Sequence, residues 1–351
     1  MRTFVDERVL PNAIENDINH HLDMDAIAGM AELGVLGIVI PEEYGGAGLD
    51  FVAEALACEE IERGEAAFRT LISVHVGLNS LSLLRYANED QKQKYLAPQA
   101  RGEKLACFGL TEPAAGSDVA AMLTTARREG DSYILNGQKN WISYASVADH
   151  QLVFAKTDPA AKHKGISAFI VNMHQPGIVQ RPLKMISGVT KEFGQVEFDG
   201  ARVPADQMVG TPGEGWKLAM TVVSHEREPS TLGFSARYGK LVRELASRVE
   251  GTTPEELSWA WVQMEMLRLH VRRRLSEQLD GITHGPQGSL DKLLMTSVEQ
   301  SVGHAALATV GTGDPELFGA YMYSRAQSVM GGTSQIQKNI IASRILGLGV
   351  R

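Results

Sequence analysis

Cysteine is nearly missing from this sequence: among 351 residues only Cys58 and Cys107 occur. Two thiols in a large acidic chain exclude a disulfide framework. They point to a reducing, cytoplasmic setting in which both are buried and inert. No Cys/His spacing has the form of a metal site, so no metal is expected. Basic blocks are missing too, and the net charge is −8, which argues against nucleic acid as a partner. No uninterrupted apolar run approaches ~18 residues, so no membrane-spanning helix is expected. Met1–Pro11 carries Arg2, Asp6, Glu7 and Arg8 around no apolar core, and does not read as a secretory signal. There is no internal repeat and no low-complexity tract.

What is present suits a packed globular protein of two or three domains, with 44% hydrophobic residues. From Arg2 to about Arg101 the texture is helical. Apolar-periodic segments run from Met24 to Leu36, from Phe51 to Glu62 and from Ala66 to Tyr86. Asn88, followed by Glu89, Asp90 and Gln91, is a helix start with a capping box. After Leu105 short β-branched and aromatic runs take over. Tyr133–Leu135 and Gln138–Ser143 flank Asn136-Gly137, which reads as a hairpin turn. Gln151–Lys156, Ile166–Val171 and Val196–Phe198 are further strands. From Gly213 helical texture returns. Thr253-Pro254-Glu255-Glu256 reads as an N-cap, a first-turn Pro and acidic residues opening a long helix. The Trp and Met residues of that helix (Trp259, Trp261, Met264, Met266) are expected in the core. The order is helices, a β insert, then helices: an α+β chain.

Cys107–Met122, CFGLTEPAAGSDVAAM, stands out. Thr111, Gly116 and Ser117 follow an apolar strand-like lead-in. Small and hydroxyl residues let a backbone approach a planar or anionic ligand with donors facing it. Glu-Pro followed by Gly-Ser-Asp is also plain turn chemistry. Spacing does not choose between a ligand cradle and a turn.

The string LTEPxAGSD resembles the flavin loop of the acyl-CoA dehydrogenase family. Further stretches carry the resemblance in order: Gly34–Gly48 (GVLGIVIPEEYGGAG), Asn140–Ser143 (NWIS), Pro182–Gly210, and Gly331–Leu348 (GGTSQIQKNIIASRILGL). It covers nearly the whole chain. It implies an N-terminal helical domain (1–106), a central β-barrel-like domain (107–212) and a C-terminal helical bundle (213–351), with FAD between the last two. Position by position, it implies that Thr111 bonds the flavin ring and that Ser117 lies near the flavin and the pantetheine arm. Trp141 would shield one flavin face, the Ser143 hydroxyl would face flavin N5, and Thr333 and Gln335 would contact the cofactor. Phe108, Leu110, Gly116 and Ile142 complete the implied cofactor contacts. Ser117, Arg227 and Gly332 are implied on the substrate side.

The family reaction needs a carboxylate to take the α-proton of a thioester. Such protons are weakly acidic, so the base must be close and desolvated. Many family members place that Glu just before the Gly-Thr of the C-terminal motif, where this chain has Gly331. Enzymes resembling isovaleryl-CoA dehydrogenase place it after the β domain, just before an Arg. Ser224-His225-Glu226-Arg227 stands there, which makes Glu226 the candidate base.

Ala67–Val74 resembles the segment of glutaryl-CoA dehydrogenase whose Arg and Ser bind a distal carboxylate. Arg69 and Ser73 fall on those positions, and the alternative is an intraprotein partner such as Glu62 or Glu65. Two family segments that reach a neighbouring subunit's FAD, an Arg-x-x-Phe-Gly and a later Gln…Gly-Gly, are not found. A homodimer or homotetramer is the expectation, a hetero-oligomer the alternative. The resemblance implies an acyl-CoA substrate and an electron-transfer flavoprotein as acceptor. Its alternatives are an oxidase, a carrier-protein-bound acyl dehydrogenase, a desulfinase-like enzyme or a partner subunit.

Overall fold

The computed structural model describes residues 1–185, 192–225, 231–282 and 285–349. The N-terminal helical part carries α1 (Met24–Glu32), α2 (Phe51–Gly64), α3 (Ala66–Tyr86) and α4 (89–100). Asp23 and Asp50 cap α1 and α2 by accepting the N–H of Ala26 and Ala53. At the start of α4 the capping box of Asn88 and Gln91 forms as expected. By length and composition α3 could cross a membrane, but 78% of its apolar window is buried inside the protein. It is the central core helix of this part. Cys58 and Cys107 are both buried and free.

His75, in the middle of α3, is fully buried. Its Nδ1 accepts the Ala106 N–H (3.1 Å) and its Nε2 lies 3.0 Å from the Gln99 carbonyl. The backbone N–H can only donate, so the ring is neutral with its proton on Nε2. The imidazole thereby ties α3 to α4 and to the start of the β domain. Burial pushes its pKa down to about 4 from 6.5. Between those values the unfolded chain takes up a proton and the folded protein does not. The stability this ring contributes is therefore complete above pH 6.5 and is lost as the pH falls toward 4. The loss reaches about 3 kcal/mol. Urea unfolding across this range should show the decline, and His75→Gln should flatten it.

The β domain holds β1 (Ala106–Gly109), β2 (Thr125–Glu129), β3 (Ser132–Ser143), β4 (His150–Lys156), β5 (Ile166–Asn172), β6 (Ile178–Pro182), β7 (Phe193–Pro204) and β8 (Met208–Val209). They form one sheet in the order β6-β7-β3-β2-β4-β5-β8, with β1 paired parallel to β4. β5 and β7 meet across the interior, so the sheet curls on itself. Strand alternation splits the core in two. Val153, Ala155, Phe169 and Val171 point into the sheet's own core, and Leu152, Phe154, Ile166, Ala168 and Ile170 point toward the helices.

The expected hairpin at Asn136-Gly137 is corrected by the structure. β3 runs straight through both residues, and the reversal lies at Gly130-Asp131, between β2 and β3. Asn136-Gly137 is instead a bulge, with a register shift against β7 at Leu135/Asn136. Gly137 has φ +142°, and a Cβ there would stand 2.5 Å from the Thr124 hydroxyl. Close approach of the flanking chain, not a turn, is what requires this glycine.

The C-terminal part is α5 (Gly215–His225), α6 (Thr231–Ser247), α7 (Glu255–Leu279), α8 (Gly288–Val310), α9 (Pro315–Ser324) and α10 (Ser334–Ile340). Pro254 takes the cap position of α7 and Thr253 makes no cap bond, one residue off the expected start. The larger correction is on α7 itself. Met264 is buried, but Trp259, Trp261 and Met266 are exposed. The helix is apolar on two faces, and composition alone does not say which face the bundle covers.

Candidate active site

The stretch that follows β1 is pinned to β3 at both ends. Glu112 is buried and its carboxylate accepts three donors: the N–H of Leu123 (2.5 Å), the N–H of Thr124 (3.0 Å) and Lys139 Nζ (2.7 Å). Lys139, fully buried on β3, also donates to the Leu110 carbonyl at 3.2 Å. Burial works against both charges. The Lys139 ammonium nevertheless holds the Glu112 carboxyl below its usual range. Burial pushes Lys139 down to about 8, with Glu112 opposing the fall. Both groups are thus charged at neutral pH. Glu112 and Ala115 exchange backbone hydrogen bonds, which closes a tight turn. Gly116, Ser117 and Asp118 lie exposed beyond it.

Next to Lys139, the Asn140 N–H donates to the Thr111 carbonyl at 2.9 Å. The β3–β7 register slips between Lys139 and Ile142. Trp141 sits in that slip with φ +59° and its side chain 52% exposed. A left-handed backbone on an aromatic residue is uncommon, and here the bulge turns the indole outward. Phe193 meets the indole edge-on at 6.2 Å. Ile142 is buried and Ser143 half-buried, paired with Gly194 and Phe193. Phe108, at the end of β1, packs on Phe154 at 5.2 Å, and Leu110 is buried. Phe108, Leu110, Thr111, Trp141, Ile142 and Ser143 are therefore brought together on two adjoining segments, with Gly116 and Ser117 at the rim.

Thr333 and Gln335 stand elsewhere, at the start of α10, which packs on α8. The Thr333 hydroxyl accepts the Ile336 N–H at 3.2 Å, and Gln335 is exposed. Gly331 and Gly332 have φ of +63° and +85°. Gln337 Nε2 holds the turn by donating to the Gly331 carbonyl at 2.8 Å. A Cβ at Gly331 would meet nothing within 4 Å. Glu226 and Arg227 lie outside the described residues; α5 runs up to His225, immediately before them.

Arg69 and Ser73 form a contact of their own. Arg69 Nε donates to Glu62 at 2.7 Å and its Nη1 to the Ser73 hydroxyl at 3.1 Å, while Phe234 stacks on the guanidinium at 4.3 Å. Burial opposes the charge, but Glu62 outweighs it and holds Arg69 above its ordinary pKa. Arg237 lies 3.7 Å from Glu62 and 4.0 Å from Glu299, extending the network. The intraprotein partner anticipated as the alternative is present.

A cavity of about 240 Å³ lies between α2, α3, α5 and α7. Its walls are mostly apolar, including Phe51, Leu81, Leu84 and Val222. Gly77 of α3 also lines it, and a Cβ there would meet nothing within 4 Å.

Three parts of the site were missed at the level of sequence: the Glu112–Lys139 pair, Asn140 and Phe193. Lys139 had a usable signal, since it follows Tyr133 and Leu135 at the strand's inward period. A lysine on an inward register demands a buried carboxylate.

An outward indole beside hydroxyls on a rigid, pinned bulge defines a site for a planar, polar-edged ligand. Family models for the acyl-CoA dehydrogenase N-terminal, middle and C-terminal domains match residues 1–103, 107–201 and 213–346. The human mitochondrial short-chain specific acyl-CoA dehydrogenase is 32% identical over 98% of this chain and 88% of its own. A glutaryl-CoA dehydrogenase of Desulfococcus multivorans is 38% identical over 66% of this chain and 61% of its own. The structure of butyryl-CoA dehydrogenase from Megasphaera elsdenii superposes with a TM-score of 0.90, at 25% identity, covering 98% of this chain and 96% of that one. The chain belongs to the acyl-CoA dehydrogenase family and is an oxidoreductase.

The cofactor that the family resemblance implies is FAD, and the residues present fit that group. Trp141 offers an aromatic cover, and Thr111 and Ser143 offer hydroxyls. Asn140 Oδ1 is buried beside them with no donor among the described residues, an acceptor suited to a flavin N–H or a ribityl hydroxyl.

Proposed function

We propose that the chain removes the α-proton and β-hydride of an acyl-CoA thioester and passes the electrons to an electron-transfer flavoprotein. The observation that carries this reading is the outward Trp141 on a bulge fixed by Glu112 and Lys139. The aromatic cover and its neighbouring hydroxyls are held in place before any ligand arrives. When bound, FAD supplies the acceptor for the hydride that leaves Cβ. Thr111 and Ser143 orient that group through their hydroxyls, with Phe108, Leu110, Gly116 and Ile142 around it and Thr333 and Gln335 on its far part. Ser117, Arg227 and Gly332 hold the thioester arm. Glu226 takes the α-proton onto its carboxylate. We divide the chain accordingly at 1–106, 107–212 and 213–351.

We further assign the largely apolar cavity beside α5 to the acyl tail, and infer that Arg69 is not the group that receives a distal carboxylate. Arg69 already faces Glu62, so a second carboxylate would have to displace a buried partner. Gly77→Leu puts a side chain into the cavity. It should lower kcat/KM for octanoyl-CoA by at least tenfold, about 1.4 kcal/mol, and leave butyryl-CoA nearly unchanged. Steady-state kinetics on butyryl-, octanoyl- and glutaryl-CoA test both points. Equal losses on butyryl- and octanoyl-CoA would remove the tail from this cavity, and preferred turnover of glutaryl-CoA would restore Arg69 and Ser73 as substrate contacts.

A further inference from the structure

Two residues with left-handed backbone stand close together at the end of β3: Trp141 (φ +59°) and Tyr144 (φ +62°). Both are aromatic, and such a backbone persists on an aromatic residue only where the surroundings impose it. Ile142 and Ser143 lie between them, so this short step sets where the Ser143 hydroxyl points. The Trp141 end is held by the Asn140 bond to Thr111 and by Phe193. The Tyr144 end is held by a different part of the molecule.

Every hydrogen-bonding group of Tyr144 is used. Its N–H donates to the Glu192 carbonyl at 2.7 Å, just before Phe193. Its own carbonyl accepts the N–H of Val147 (3.1 Å) and of Ala148 (3.0 Å). Its hydroxyl donates to the Ala67 carbonyl in the first turn of α3. Ile142 and Ala145, on either side, belong to the core of the sheet. The Tyr144 ring, fully buried, packs instead in the helical core with Phe68, Leu71, Ile72 and Leu105. Burial, with Glu192 adding to it, pushes the phenol pKa well up, so the group remains a donor.

One side chain thus leaves the β domain and is bolted to α3, the helix that also carries Gly77 on the cavity wall. We propose that Tyr144 is a positioning residue: its bond to Ala67 fixes the Ser143 hydroxyl relative to α3, so that cofactor and acyl tail meet in register. The proposal rests on the reading that Ser143 faces the flavin and that the tail lies along α3. Tyr144 is sealed in protein and acts through Ser143, not on a ligand. A phenylalanine would fill the same space, but no bond would then hold the ring to the helix. The step between the two left-handed residues could relax toward ordinary backbone and turn Ser143 away.

A double-mutant cycle on the FAD-loaded protein tests this, with Tyr144→Phe, Ser143→Ala and the two combined. The readout is the rate of FAD release, followed by flavin fluorescence. Each single variant should release FAD about fivefold faster, as the loss of one neutral hydrogen bond implies. The combined variant should be no faster than either single one, because both changes act on the same contact. Hydrogen exchange over 140–145 should rise about tenfold in Tyr144→Phe while α7 and α8 keep wild-type protection. Neither readout needs turnover, so both hold even for a protein that does not bleach with acyl-CoA. Wild-type FAD release in Tyr144→Phe, effects that multiply in the combined variant, or exchange that rises equally in α8 would each overturn the proposal.

Discussion

Glu226→Gln is expected to fold, bind FAD and remain yellow, and to lose flavin bleaching by acyl-CoA by a factor of about 10²–10⁴. The amide is nearly isosteric and cannot accept the α-proton. The argument for Glu226 is one of elimination joined to position. Gly331 stands where many relatives are expected to carry the base, and no side chain can reach out from it. Its backbone sits at φ +63° in open space, so the turn at α10 is built for glycine. Glu226 directly follows α5, the helix on the wall of the proposed acyl cavity. Stopped-flow reduction under anaerobic conditions measures the effect. Wild-type reduction rates in Glu226→Gln would move the base elsewhere.

Lys139→Met is expected to destabilise the protein by about 3–5 kcal/mol and to shed FAD on gel filtration. The methionine fills the lysine's space but leaves the Glu112 carboxylate buried with only two backbone donors. The loop carrying Thr111, Gly116 and Ser117 then loses its main tie to β3. Because the Glu112 carboxyl is held low in the folded state, its contribution is present above its ordinary pKa and is lost as pH falls through the folded value. The double variant Glu112→Gln/Lys139→Met buries no unpaired charge and should recover much of the loss. Urea unfolding and the flavin-to-protein absorbance ratio report both effects. A Lys139→Met protein with a wild-type midpoint and full FAD would show that the pair does not hold the site.

Much of the fold was legible because it rests on local signals. The helix-strand-helix order follows from apolar periodicity, and the start of α4 follows from one capping box. What failed were features set by long-range packing. Asn136-Gly137 has turn chemistry, yet β7 and Thr124 hold it in an extended bulge. The outer Trp and Met residues of α7 have core chemistry, yet the bundle covers only the Met264 side. Arg69 was recognised as a guanidinium in need of a carboxylate, but only the packing of α3 against α2 names that carboxylate as Glu62. The site shows the same division. Thr111, Trp141 and Ser143 were found through their motifs. Glu112 and Lys139, which position them, lie 27 residues apart and meet only when β3 folds back along the loop.

The central claim is that Trp141, its neighbouring hydroxyls and Glu226 form one site that dehydrogenates acyl-CoA thioesters. Anaerobic mixing of the FAD-loaded wild type with butyryl-CoA, followed by flavin absorbance, tests it most directly. The account predicts prompt bleaching, reversed when an electron-transfer flavoprotein is added. A protein that stays fully yellow with butyryl-, octanoyl- and glutaryl-CoA alike would contradict it.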